Sequence, residues 1–286
     1  LTILVLLSST AWTQTQTVDI TVLYTDKEFD NVGTTPPPTQ DRAVRFAEIE
    51  LVRESDGTII ASDFTQSDGT HNFLNIAEGE TVFLRVYART DLTGKMPITV
   101  QNTPGGFFYT AATTSLTISP SEKTFTINIG TTPGTEGAQG AFNILDVGIL
   151  SFEYFEEIVV GSAPTPPEPL QIYWYSGGSP GTYFNRNTNQ IFLLGKTVDS
   201  DEFDDDIILH EIAHYMTYHF SKDDSPGGPH SVTGNYDVRL AWSEGFAHYW
   251  SGAVRQYAEN SPYPAGYSSP YDAYPYPFEL IDTAQE

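Results

Sequence analysis

The chain has 286 residues, 39% hydrophobic, 13% aromatic and only 17% charged, which suits one large core or two ordinary ones and excludes a disordered tract. With 13 Lys and Arg against 37 Asp and Glu the formal charge is −24, a surface that repels phosphate backbones and excludes nucleic acid as a partner. There is no cysteine, so disulfides, thiolate ligands and a lipidated-Cys anchor are excluded, and any transition metal must be held by His and carboxylates.

In chain order, LTILVLL and the small residues Ser8 to Ala11 read as the apolar region and cleavage zone of a secretory signal peptide, with residues 1–16 as its remnant. The run is too short to span a bilayer and no other segment is apolar enough, so a secreted protein without membrane insertion is expected.

Residues 17–130 predict an all-β sandwich domain. TVDITVLYTD alternates at period two, and the prolines of NVGTTPPPTQ interrupt pairing. RFAEIELV and GTIIASDF flank Asp56-Gly57, a hairpin signal, and a second turn holds Asp68-Gly69. TVFLRVYART and SLTISPSEKTFTINI supply further strands. The order of strand, Pro loop, AEIELVRESDG and SDGTHNF resembles the transthyretin-like or collagen-adhesin-B-type modules of secreted bacterial proteins, which implies an Ig-like sandwich acting as spacer or folding partner. GTTPGTEGAQG, rich in Gly, Thr and Pro, predicts a linker over 131–140.

Residues 141–286 predict an α+β domain. AFNILDVGILSFEYFEEIVVG has apolar residues at helical spacing, GSAPTPPEP is a stiff loop, and LQIYWYS and QIFLLGK read as strands joined by the turn-rich GGSPGTYFNRNTN. DEFDDDIILHEIAHYMTYHF is a long helix whose acidic start complements its dipole, RLAWSEGFAHYWSGAVRQYAEN is a second, and the Tyr- and Pro-rich 261–286 reads as loop.

Within the first of these helices, His210 and His214 lie at i and i+4, roughly 40° apart around the axis, so both imidazoles point the same way and can share one metal ion. Glu211, about 100° around from His210, stays off the metal but close to a water there, where it can act as a base. Zinc suits nitrogen and oxygen ligands and needs one more protein donor in a catalytic site. Glu244 lies on the following helix, in WSEGFA.

HEIAH followed by WSEGFA resembles the gluzincin metallopeptidases, the thermolysin, fungalysin and aminopeptidase-N group. The resemblance covers roughly residues 141–255. It implies a zincin-like catalytic domain, one catalytic Zn2+ held by His210, His214 and Glu244, Glu211 as the catalytic carboxylate, and a polypeptide substrate. It also implies an oxyanion-stabilising Tyr or His well downstream of the third ligand, so the domain is expected to be incomplete at its C-terminal side. Two features depart from the group: the interval between His214 and Glu244 is long, and His248 stands where thermolysin- and fungalysin-type enzymes carry an Asp that orients a ligand His.

His248 and His230, the latter after the SPGGP turn, are therefore expected around the ligands or in the cleft, whereas His219 falls about 140° off the metal face. Asp204, Asp205 and Asp206 offer oxygens to Ca2+, with helix capping and dipole complementarity as the simpler role. The rival functions are an extracellular adhesion or binding protein with a structural or degenerate zinc site, and a zinc hydrolase of non-peptide carbonyls.

Overall fold

The computed structural model describes residues 14–27, 39–159, 168–178, 181–196, 199–231 and 234–260. Its strands are β1 (Thr15–Lys27), β2 (Thr39–Ala43), β3 (Glu48–Arg53), β4 (Ile59–Phe64), β5 (Thr70–Ala77), β6 (Thr81–Tyr87), β7 (Arg89–Thr90), β8 (Ile98–Gln101), β9 (Thr110–Ala112), β10 (Leu116–Thr117) and β11 (Thr124–Ile129). The helix α1 (Gln139–Ile158) follows, then β12 (Leu170–Tyr173), β13 (Tyr183–Asn185), β14 (Gln190–Phe192), β15 (Gly195–Lys196), β16 (Asp199–Ser200), α2 (Asp205–Phe220) and α3 (Val238–Asn260). The molecule is β-rich, with three α-helices among the described residues.

Two sheets built from residues 15–129 face each other. In one, β1 pairs in parallel with β11 and antiparallel with β5 and β2; in the other, β6 lies between β3, which carries β4, and the short β9 and β10. Strict alternation buries Val18, Ile20, Val22 and Tyr24 of β1 on one side and Val82, Leu84 and Val86 of β6 on the other, and the two sets join in one core. The Asp56-Gly57 hairpin joins β3 to β4 as expected, with Gly57 at φ +73°. The Asp68-Gly69 turn instead crosses between the sheets, from β4 to β5. Gly69 has φ +76°, and a Cβ there would meet the Val22 carbonyl oxygen, so the close approach requires glycine.

Four expectations need correction. Thr15 and Gln16, assigned to the leader, pair with Ala77 and Ile76 in β1, and Gln14 O accepts from Glu78 N; residues 1–13 of the expected leader lie outside the described residues. Residues 131–140 are not a loose linker but a run of hydrogen-bonded turns, Thr132 N to Asn128 O, Thr135 N to Thr132 O and Ala138 N to Thr135 O, with Thr135 buried. The boundary they were to mark also disappears. β8, from the expected sandwich, pairs in parallel with β12, and together with β14, β13 and β7 they form one five-stranded sheet. A single apolar cluster runs from Val18 to Ala258. β13 itself was read as loop. The expected tail over 261–286 lies outside the described residues, and among those described no helix is long and apolar enough to cross a membrane.

The expected helix at 141–161 is α1, and every residue from Gly140 to Phe152 is buried, so it is a central helix rather than a surface one. Gly148 permits its closest approach to the sheet, since a Cβ there would stand 3.0 Å from Ile98 Cδ1. Buried polar groups at the middle of α1 are engaged. Asp146 takes the Arg45 guanidinium at 2.6 Å and the Tyr24 hydroxyl at 3.2 Å, and Asn143 donates to Asp205 Oδ1 at 2.8 Å.

Arg45→Ala would leave the Asp146 carboxylate buried without its cation, and the expected loss is about 3–5 kcal/mol of unfolding free energy in urea titrations. The paired replacement of Arg45 by Met and Asp146 by Leu, which removes both charges, is expected to cost far less.

Candidate metal centre

Asp204 opens α2: its side chain accepts from Ile207 N at 3.2 Å, and Asp205 and Asp206 sit in the positive first turn. The three carboxylates that might have gathered around Ca2+ instead diverge. Asp204 caps the helix, Asp205 accepts from Asn143, and Asp206 takes Arg255 of α3 at 2.6 Å. Ser251 Oγ also donates to the Asp206 carbonyl at 2.8 Å, so the start of α2 is fastened to the end of α3.

Along the same stripe of α2, His210 and His214 turn toward α3. Nε2 of His210 stands 3.1 Å from Nε2 of His214 and 3.1 Å from Glu244 Oε2, and His214 Nε2 stands 3.3 Å from the same oxygen. Among the described residues these three form the one group of His and carboxylate side chains whose donor atoms converge on a possible metal position. Tetrahedral zinc holds nitrogen and oxygen at about 2.0–2.1 Å, which sets neighbouring donors roughly 3.3 Å apart. The three separations match one face of such a tetrahedron. Two imidazole nitrogens and a carboxylate oxygen are also a donor set that zinc takes, so the residues present fit zinc.

Burial pushes His210 down to about 4, against the hydrogen bond to Glu244, so this imidazole is neutral at pH 7. Burial acts the same way on His214, but the hydrogen bond to Glu244 and the charges of Glu211, Glu244 and Asp223 outweigh it and leave the group raised. Burial would raise Glu244; hydrogen bonds from His210, His214 and His230 prevail and hold it far below the usual carboxylate range.

Glu211 is buried and lines the same cleft of about 380 Å3, whose opposite wall is β13 and whose rim is the loop after α2. His230 on that loop places Nε2 3.3 Å from Glu244 Oε2. His248 lies on α3 one turn beyond Glu244, its ring edge-on to His210 with centroids 4.7 Å apart. It does not take over the role of the missing Asp, because His210 Nδ1 is buried with no hydrogen-bond partner among the described residues. His219 points elsewhere and bonds Asn189. Sequence reasoning missed two supports. Ser243 Oγ reaches His214 Nδ1 at 3.3 Å, fixing the ring from its outer nitrogen. Arg186 follows β13 and clamps the rim loop through Ser225 O at 2.6 Å and Asp223 at 2.9 Å. Ser243 adjoins Glu244, so a search around that residue could have found it; nothing local marks Arg186.

A family model, the mycolysin C-terminal domain, matches residues 162–264, about a third of the chain; it is a domain found in a zinc metallopeptidase family. The matched stretch contains His210, Glu211, His214, His230 and Glu244. The chain has no match among curated proteins and none among solved structures.

Because His214 is raised, it keeps its proton to higher pH than a free imidazole and must release it to bind a metal. Zn2+ affinity is therefore expected to fall as pH drops through neutrality and below 6.5, as measured by chelator competition between pH 8 and 5.5.

Proposed function

We propose that the chain is a secreted zinc-dependent peptidase of the gluzincin type, with a zincin-like catalytic half spanning α1 to α3. The observation that carries this reading is the triangle of two imidazoles and one carboxylate, 3.1–3.3 Å on a side, beside a buried glutamate in an open cleft. The family match to a domain of zinc metallopeptidases supports it, and a leader at the start of the chain would account for secretion.

His210, His214 and Glu244 would hold the metal, with Ser243 keeping the His214 ring in place. Bound zinc would supply Lewis acidity, polarising a peptide carbonyl and acidifying a water molecule. Glu211, presented by the same helix, accepts the proton of the attacking water and passes it to the leaving amine. Its burial excludes bulk water, which would otherwise compete for that proton. Among the described residues β13 is the outer strand of its sheet, pairs with β14 on one side and lines the cleft on the other. Its free edge can take an extended polypeptide by main-chain pairing, which favours a peptide over a small carbonyl substrate. An adhesion protein with a merely structural metal would have no use for a carboxylate at Glu211.

Glu211→Gln is expected to retain one zinc per chain and to lose about 100-fold or more of casein-cleaving activity, whereas His214→Ala should lose the zinc as well. Equal cleavage by the wild type and Glu211→Gln would remove Glu211 from the mechanism.

A further inference from the structure

The five-stranded sheet has two unlike faces. One row of cross-strand partners, Ile172 of β12, Ile191 of β14 and Phe184 of β13, turns toward the helices, and Phe184 packs against Tyr215 and Tyr218 of α2 with ring centroids 6.0 and 5.9 Å apart. One residue along, the next row points to the opposite face. It consists of Tyr173, Phe192 and Tyr183, paired in register across the same three strands. Their rings follow one another at centroid distances of 5.2 and 5.0 Å, and the outer pair is stacked, with 19° between planes.

The row opens toward the cleft. Tyr173 at its inner end is 4% exposed, and its hydroxyl donates to Gln171 Oε1 at 2.8 Å. Phe192 has a ring on either side. Tyr183, on the strand that is outermost among the described residues, is 39% exposed and lines the cleft beside Glu211 and Glu244. Phe192 covers one face of its ring, and the other face turns outward past the edge of the sheet. The hairpin that carries it is fastened to α2: Asn189 bonds His219, and the Arg186 guanidinium lies 5.6 Å from the centre of the Tyr218 ring. Tyr183 is therefore an aromatic surface held in a fixed place at the end of a packed stack.

We propose that Tyr183 sets substrate specificity: its outward ring face takes an aromatic side chain of a polypeptide paired with the edge of β13, which adds a fourth ring to the row. The proposal rests on the peptidase reading above. A segment that joins the sheet as a further strand continues its alternation, so every second side chain falls in the rows on the Tyr183 face. The side chain directly across from Tyr183 has its Cβ about 4.5–5.5 Å away, within reach of ring stacking. Aromatic pairs gain from stacking beyond the area they bury, whereas an aliphatic side chain there gains the area alone.

The test uses the zinc-loaded protein and a set of quenched fluorescent peptides in which one position at a time is Phe, Leu or Ala. The wild type is expected to show one position at which Phe raises kcat/KM at least about 3-fold over Leu, and further over Ala, chiefly through KM. Tyr183→Leu, which keeps apolar bulk without a ring, should lose the preference for Phe over Leu, as should Tyr183→Ala. Tyr183→Phe should keep it, and all three variants should hold one zinc per chain. Equal kcat/KM for Phe and Leu at every position would overturn the proposal and leave the peptidase reading standing. So would a preference for Phe that survives in Tyr183→Leu and Tyr183→Ala. A zinc-loaded wild type that cleaves none of the peptides would overturn the peptidase reading and the specificity with it.

Discussion

The polar seam between α2 and α3 is the interaction on which the site depends. Asp206, His210 and His214 recur every four residues and so occupy one stripe of α2. Opposite them, α3 runs the other way and offers Arg255 and Ser251, then His248 and Glu244, then Ser243. Buried polar groups are costly unless paired, and here each helix supplies partners for the other. The apolar flanks, with Leu209, Ile212 and Ala213 on one helix and Ala247, Trp250 and Val254 on the other, would tolerate small slides; the seam would not. A shift by one turn, about 5.4 Å, would separate Asp206 from Arg255 and Glu244 from both imidazoles together. The register of the helices and the geometry of the candidate site are thus set by the same contacts.

Behind the seam, α1 ties the half with the candidate metal site to the rest of the molecule. Ser151 accepts from the Trp250 indole at 2.9 Å, and Asn143 reaches the start of α2. On its other side α1 engages Tyr24 of β1 and Arg45, just before β3. A helix buried for thirteen consecutive residues has little freedom to shift, so the two elements that carry the candidate ligands rest on a fixed base.

Much of this was legible in the sequence, for reasons that differ by element. HEIAH declares itself because i and i+4 on a helix share a face whatever surrounds them, and α1, α2 and α3 stand close to their expected bounds. The Asp56-Gly57 hairpin is equally local. What escaped was long-range. Nothing in ITVQ says that it joins LQIY seventy residues later, because alternation fixes a strand's faces and not its neighbours. The same limit hid β13: a three-residue strand among turn formers is made by its partner, not by its propensity. The Pro-Gly-rich stretch at 131–140 looked like a linker because composition marks turns without saying whether they are packed. His230 was visible only as a histidine after a glycine-rich turn, and its distance from Glu244 depends on Arg186, more than forty residues upstream.

The pairing of β8 with β12 has a bearing on how such a protein can evolve. Recombination exchanges pieces cleanly where few contacts cross the junction, and the turn region at 131–140 looks, on composition, like such a junction. A crossover there would bring in a foreign β8, and the incoming strand would have to match Leu170–Tyr173 in direction, register and side-chain volume to complete the central sheet. A mismatched replacement would bare the long flank of β12 and offer it to other chains. Exchange at that point would therefore break the central sheet, so the N-terminal sheets and the half that follows them form one packing unit.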